Sequence, residues 1–345
     1  MELNQNDRSG ATLHDVAREA GVSLMTASRV VNGRDHVSAK TREKVLQVVQ
    51  RLNYQVNVAA RAARVGTLRI GLLYSNPSPA FENAFLAGAT GQCSLNGAEL
   101  VLQHCQEAGS EQAAVEQLMG RELDGILVPA PLCDSLALLA QLERLGVPIV
   151  TVASARPALG ISAVRIDDYE GARSMTEYLL SLGHTDIAFI QGDPAHTPAQ
   201  LRYKAFMDVM REANLPVPEI RIAQGMFTYR SGLLAARALL AQPSRPSAIF
   251  ACNDDMAAAT VAVAHGMHLQ LPDDLSICGF DDTPVATAIW PALTTIHQPI
   301  GGMARNAVDL VVEQIRERRA GRLPMPQHRL MPYRLQLRES TMRRD

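Results

Sequence analysis

From Leu68 onward, short apolar runs alternate with helical stretches, and this alternation constrains the fold more than any other feature of the chain. "LRIGLLYS", "AELVLQHC", "DGILVPAP" and "VPIVTVAS" are four such runs, the first followed by the helical stretch "FENAFLAGATGQCSLNG". After a further helix in "YEGARSMTEYLLSLG" the series restarts. It continues as "DIAFIQGD", a helix through 199–213, "IRIAQG", a helix through 230–241, "AIFACND", a helix through 255–266 and "LSICGFDD". Strands roughly 25–35 residues apart with helices between them imply parallel sheets, since a parallel neighbour is reached only by a right-handed crossover. Two series that each begin afresh predict two similar α/β lobes. Ligands in such lobes sit at the carboxyl ends of the strands. Those ends carry Ser75, Pro129, Asp193, Asn253 and Asp281, so the cleft between the lobes is the expected site.

Residues 1–54 read differently, as three short helices. Thr12 is placed to cap the first, with Asp15 three residues on. Leu13, Val16, Ala17 and Ala20 then share one helical face, and Gly21 stops the helix. Ser23 is placed to cap a second helix that turns Ala27, Val30 and Val31 inward. Ser38 caps a third, with Val45, Leu46, Val49 and Leu52 as its buried stripe. Two helices joined by a short Gly-containing turn form the helix-turn-helix pattern. Leu24 and Met25 follow that turn directly. Core packing is the usual fate of such residues, but Ala27, Val30 and Val31 already fill the inward face, so the pair is expected on the outer one. Residues 55–67, with "QVNVAARAARVG", hold too little apolar surface for a core and read as a linker that is helical only when packed against something.

Charge divides along the same boundary. Residues 1–66 carry ten Lys and Arg against six Asp and Glu, a net +4, and the remainder 23 against 29, a net −6. A basic head on an acidic body suits an anionic partner for the head alone. The five cysteines (Cys93, Cys105, Cys133, Cys252, Cys278) include no CxxC pair, which argues against a disulfide framework or structural zinc and fits a reducing cytosol. The first residues are polar, unlike a signal peptide. No apolar run reaches the length of about 18 residues that a membrane span needs. A cytoplasmic location is expected. No P-loop, GxGxxG, HExxH or GxSxG motif occurs. Asp167-Asp168 and Asp281-Asp282 are strand-end neighbours rather than a glycosidase pair. His104, His184 and His196 stand apart from one another and read as surface or loop histidines. The chain is therefore expected not to be an enzyme and to need no cofactor or metal.

The segment "TLHDVAREAGVSLMTASRVVNGRDHVSAKTREKVLQVVQRLNY" resembles the DNA-binding head of the lactose/galactose-repressor (LacI/GalR) family of bacterial transcription regulators. "DGILV", "GHTDIAFIQGD", "AIFACNDDMAAA", "LPDDLSICGFDDT" and "PALTTIHQP" resemble its body, in order, so the likeness runs from Thr12 to about Leu337. It implies a three-helix head on a two-lobed body like the periplasmic binding proteins. The lobes would comprise 68–166 with 297–325, and 167–296 with 326–345. The second helix would lie in the major groove. Leu24, Met25 and Arg29 would meet base edges, Arg29 donating to guanine and the apolar pair packing on thymine methyls. Ser23, Thr26, Ser28, Asn32 and His36 would contact phosphates. In the linker the resemblance implies a minor-groove hinge helix opening at Val56-Asn57. The family's wedging leucine is replaced here by Ala63, which has little to insert between bases, while Arg61 and Arg64 offer phosphate contacts.

In the body the resemblance implies effector contacts at Ser75, Asn76, Phe81, Phe85, Arg202, Phe227, Asn253 and Asp281. Arg202, Asn253 and Asp281 could bind vicinal hydroxyls, with Phe81 and Phe227 as apolar faces. Asn253 could equally cap the helix that starts at Asp254, and Arg202 could be a plain surface charge. Ala153 and Pro129 replace the Asp and Asn that sugar-binding members carry. Trp290, just before "PALTT", falls where members place dimer-interface residues. The expected protein is a homodimeric repressor of a carbohydrate uptake or catabolic operon. A sugar-like effector would release it from a near-palindromic operator. The alternative is an activator, or a global regulator controlled by a partner protein or a non-sugar ligand. The C-terminal "LRESTMRRD" lacks the heptads of tetrameric members, so a dimer is expected.

Overall fold

The fold was analysed in a computed structural model that describes residues 13–31, 38–52, 67–105 and 111–344. The chain divides into two compact units, 1–66 and 67–345.

The first unit holds α1 (Leu13–Ala20), α2 (Leu24–Val31) and α3 (Ala39–Arg51). Their common core is Val16, Ala17, Ala20, Ala27, Val30, Val45 and Val48, with Val22, Val31, Val49 and Leu52 packed against it. Gly21 ends α1 in the left-handed region at φ +60°, where its lack of a Cβ avoids strain, and the Val22 N–H returns to the Ala17 carbonyl at 3.0 Å. The Ser23 and Ser38 hydroxyls accept from the amides of Thr26 and Thr41 at 3.1 and 3.2 Å, so both expected caps form. One stripe expectation is corrected. Val48, not Leu46, completes the inner face of α3, and Leu46 is 46% exposed. Positions 45, 48, 49 and 52 follow the i, i+3, i+4, i+7 rule, whereas residue 46 is turned by one full residue step. Thr12 lies outside the described residues.

The second unit contains two parallel sheets. The first lobe is built on β1 (Leu68–Tyr74), β2 (Ala98–His104), β3 (Gly125–Pro129), β4 (Ile149–Val152), β5 (Ser162–Arg165) and β11 (His328–Leu330), in the order β11-β5-β4-β3-β1-β2. Its helices are α4 (Pro79–Asn96), α5 (Glu111–Met119), α6 (Leu136–Glu143) and α12 (Ile300–Arg319). The α4–α12 packing is close: a Cβ on Gly88 would stand 2.5 Å from the Gly301 carbonyl oxygen. The second lobe orders its strands β7 (Ile222–Gln224), β6 (Ile187–Gln191), β8 (Ala248–Ala251) and β9 (Ser276–Cys278). Its helices are α7 (Asp168–Ser181), α8 (Thr197–Glu212), α9 (Tyr229–Leu240), α10 (Asp254–Gly266) and the short α11 (Val285–Ala288). β10 (Thr295–His297) and β12 (Arg334–Gln336) pair antiparallel beside it. Every pairing within the two larger sheets is parallel. β3 and β4 are buried along their whole length, as sheets covered on both faces require. Phe189 centres the second lobe, stacked on Phe206 at 4.9 Å and edge-on to Phe250 at 5.2 Å.

The expected assignment of all of 326–345 to the second lobe is corrected by β11. His328–Leu330 extends the first sheet in parallel register with Ala163–Arg165. His328-Arg329-Leu330 is mostly polar and not buried, so no apolar run marks it as a strand in the sequence. The chain therefore passes between the lobes three times, after β5, after β10 and after β11.

Candidate functional site

The cleft between the lobes encloses about 440 Å³ up to its mouth. The first lobe contributes Asn76, Pro77, Ser78, Phe81, Ala130 and Ala153 to its walls, and the second His196, Pro198, Arg202, Phe227, Asn253 and Asp281, with Gln298 from the crossover strand.

Arg202 projects from α8 and is 4% exposed, which excludes the reading as a surface charge. Its guanidinium donates to Asp168 at 2.9 and 2.8 Å, to the Cys252 carbonyl at 2.8 Å and to Asp281 at 3.4 Å, and it covers the Phe280 ring at 3.5 Å. Burial works to lower its pKa, but the two carboxylates outweigh that and raise it. Burial lifts Asp168 above the ordinary carboxylate range despite Arg202. The same desolvation carries Asp281 to about 7. Both bonds that Asp281 accepts, from Arg202 and from Gln298 Nε2 at 2.5 Å, fall on Oδ1. Oδ2 is left without a partner among the described residues.

Asn253 does cap its helix: its side-chain oxygen accepts the Met256 amide at 3.0 Å, while its nitrogen donates to the Phe227 carbonyl at 2.9 Å. It thereby fixes Phe227, which sits at φ +59°. The Phe227 ring lies over Gly192, where a Cβ would come within 2.2 Å of it, and its other neighbour is His196, stacked at 5.4 Å and 13°. Burial lowers the His196 pKa against the opposing pull of Asp193 and Asp134, which favours the neutral imidazole. Ala153 and Asp281 also have positive φ, +63° and +109°. Three cavity-lining residues without glycine's freedom thus adopt a costly backbone, which is typical of functional sites.

Hydrogen bonds close both flanks of the cleft. Ser78, which caps α4, donates to Asp255 of the opposite lobe at 2.5 Å. Asp134 of the first lobe accepts from the Thr197 amide at 2.8 Å, the Thr197 hydroxyl at 2.9 Å and the Ser154 hydroxyl at 2.7 Å. The Ala155 amide also donates to the Thr197 hydroxyl at 2.9 Å.

Of the residues expected in the site, the fold brings Asn76, Phe81, Arg202, Phe227, Asn253 and Asp281 to one cavity. Ser75 and Phe85 are corrected: they line not the cleft but an adjoining hollow that shares Asn76, Phe81 and Ala130 with it, and Phe85 is 2% exposed within the core. Phe85 lies one helical turn beyond Phe81 and so packs deeper in the lobe. Ala130, not Pro129, faces the cleft. His196 is corrected from a loop histidine to a cavity wall, and His184 is buried between Ser247 and the Met342 carbonyl. Sequence reasoning missed Ser78, His196, Pro198 and Gln298. Only Gln298 carried a signal, as part of "PALTTIHQP".

In the head, the Ser23 and Thr26 hydroxyls bond each other at 2.8 Å at the start of α2. Leu24, Met25, Ser28 and Arg29 belong to the same helix, with side chains outside the described part. Asn32, His36, Asn57, Arg61 and Ala63 lie outside the described residues. No helix among the described residues is long and apolar enough to cross a membrane.

Residues 12–57 match the family described as bacterial regulatory proteins, lacI family, and residues 176–341 match the periplasmic binding protein-like domain. The chain is 33% identical to the HTH-type transcriptional repressor PurR of Pasteurella multocida, over 92% of this chain and 96% of that one. A transcriptional regulator CelR–cellobiose complex superposes with TM-score 0.72 at 30% identity, covering 96% of this chain and 99% of that one. The lac repressor dimer bound to operator and the anti-inducer ONPF gives 0.71 at 29%, covering 97% and 100%.

Proposed function

Since the chain belongs to the lacI family of bacterial regulatory proteins, we propose that it is a homodimeric transcriptional repressor released from its operator by a neutral, sugar-like effector bound between the lobes. The observation that carries the effector class is the charge balance of the cleft. The one guanidinium among its described lining residues, Arg202, is already satisfied by Asp168 and Asp281, so none is left over there for a phosphate or carboxylate. What the cavity offers instead is an acceptor, Asp281 Oδ2, beside the apolar faces of Phe81 and Phe227. That combination suits a ring whose edge carries hydroxyl donors. The CelR relative, solved with cellobiose, supports the same class.

Each head reads one half-site of a near-palindromic operator through α2. Arg29 contacts guanine, Leu24 and Met25 contact apolar base edges, and the segment with Asn57, Arg61 and Ala63 meets the centre. Trp290, 73% exposed ahead of "PALTT", is assigned to the dimer interface. The stacked His196–Phe227 pair favours one second reading, a planar heterocycle in place of a sugar ring. A thermal-shift screen of neutral mono- and disaccharides alongside nucleobases separates the two. The sugar reading expects a carbohydrate to raise the melting temperature, and Asp281→Asn to remove that shift. Stabilisation by nucleobases alone, or by no carbohydrate, overturns it.

A further inference from the structure

The cleft is not the largest hollow of the body. A second one, about 550 Å³ up to its mouth, opens at the other edge of the first sheet. It lies at the starts of β4 and β5, whereas the cleft lies at the strands' carboxyl ends. Its volume falls in the range of small-molecule sites.

Its floor is polar and built. Ser162 and Gln314 are 2% and 4% exposed. The Ser162 hydroxyl oxygen accepts from Gln314 Nε2 at 2.5 Å and from the Gln327 amide at 3.0 Å. Both its lone pairs are therefore occupied, and its proton has no acceptor among the described residues. Gln314 Oε1 likewise has no donor there. Among the described residues no side-chain polar atom is both sealed from solvent and unbonded, so the unbonded Gln314 Oε1 is open to the hollow that Gln314 lines. A largely buried acceptor thus points into this space, held in place by the bond from its own amide nitrogen to Ser162.

The rim is charged. Glu143, the last residue of α6, makes no ion pair among the described residues, and Arg318, in the last turn of α12, donates only to the Gly146 carbonyl. The two flank one mouth without neutralising each other. Both helices also end here, and their carbonyl termini add partial negative charge that favours a cation. Pro148 and Pro326 complete an apolar wall.

We propose that this hollow is a second effector site, for a small zwitterion of the free amino-acid class. The ammonium group is held by Glu143 and Gln314 Oε1, the carboxylate by Arg318, and the stem lies against the prolines. The chain would then answer to two ligands, one at each edge of the same sheet. This site shares no residue with the cleft, so it stands or falls independently of the effector assigned there.

The test is isothermal titration of the full-length chain with each of the proteinogenic amino acids up to about 10 mM, where even weak sites saturate. At least one should bind saturably. Glu143→Ala and Arg318→Ala should each weaken it by about tenfold or more, with melting temperatures unchanged because both residues are exposed, and Asp281→Asn should leave it intact. The proposal is overturned if no amino acid gives saturable binding, if both rim variants bind like the parent, or if Asp281→Asn abolishes binding and so moves it to the cleft.

Discussion

Replacing Arg202 by Met keeps the side-chain stem but removes the charge that two buried carboxylates depend on. Asp168 and Asp281 are 2% and 5% exposed, and Arg202 is bonded to both. Removing one partner of a buried ion pair costs about 3–5 kcal/mol, because the remaining charge is stranded in a low-dielectric interior. For a unit the size of the body, about 2–4 °C per kcal/mol makes that a fall of roughly 6–20 °C in melting temperature. Differential scanning calorimetry at neutral pH, without effector, measures it. Adding Asp168→Asn should recover part of the loss, since the double variant strands one buried carboxylate, Asp281, instead of two. pH gives a third check. Without Arg202 both carboxyls move further up, so the folded variant holds protons that the unfolded chain releases near 3.8. The deficit against the parent should therefore grow as pH rises from that value and be smallest in acid. A fall below about 2 °C, or a double variant that is simply worse than either single one, would refute the view that Arg202 is first a structural counter-ion and only then a ligand contact.

The remaining predictions concern the cleft and the head. Asp281, carried to about 7 by burial, accepts hydroxyl donors more strongly as the carboxylate than as the neutral acid, so effector affinity should tighten as pH rises through neutrality; a flat profile from acid to mildly basic pH counts against its role. In the unliganded protein the sign is opposite. A raised carboxylate pKa costs stability as pH climbs from 3.8 towards 7, visible as a falling denaturation midpoint unless other groups compensate. Asp134→Ala removes three accepted bonds, two of them between lobes. At about 1 kcal/mol or more each, it should lower stability measurably and widen the cleft, read as a larger radius of gyration by X-ray scattering. Gly192→Ala puts a Cβ into the Phe227 ring and should weaken effector binding with little effect on operator binding, measured by titration and gel shift. Arg29→Ala should cost about 1–3 kcal/mol of operator affinity and relax choice at one base pair; unchanged binding removes it from the base-reading set.

What the sequence disclosed depended on length and periodicity. β1, β3 and the helices after β6, β7 and β8 are long enough to show their period, and each lies where the pattern placed it. β5, β10, β11 and β12 are three or four residues long. None of them stands out as an apolar run the way the equally short β7 and β9 do; β10, β11 and β12 are completed by partners far away in the chain, while β5 pairs with β4 just before it and with β11. The same limit applies to the site. Phe81, Arg202 and Asp281 could be carried over by motif, but His196 became a cavity wall only through its stack on Phe227, which is 31 positions away. Ser78 shows a further case. Its local role is to cap α4 ahead of Pro79, and only the tertiary fold shows its proton donated across the cleft to Asp255.

The strain and the flanking bonds together indicate how the cleft can act as a switch. Ala153, Phe227 and Asp281 hold positive φ, each at a cost of order 1–3 kcal/mol. Such geometry persists only where the surroundings over-determine it. Here the determinants are distinct: Asn253 holds the Phe227 carbonyl, Arg202 and Gln298 hold Asp281, and the Ser78 and Asp134 bonds hold the lobes together. Parting the lobes breaks the Ser78–Asp255 and Asp134–Thr197 bonds but leaves Arg202 and Asn253 satisfied within the second lobe. The two arrangements therefore differ by a few part-buried hydrogen bonds rather than by a buried ion pair, a gap small enough for a ligand to tip. An effector bridging Phe81 on one lobe and Asp281 on the other binds only when they are together. By that difference alone it can shift the population, whereas a ligand held entirely by the second lobe would bind without switching anything.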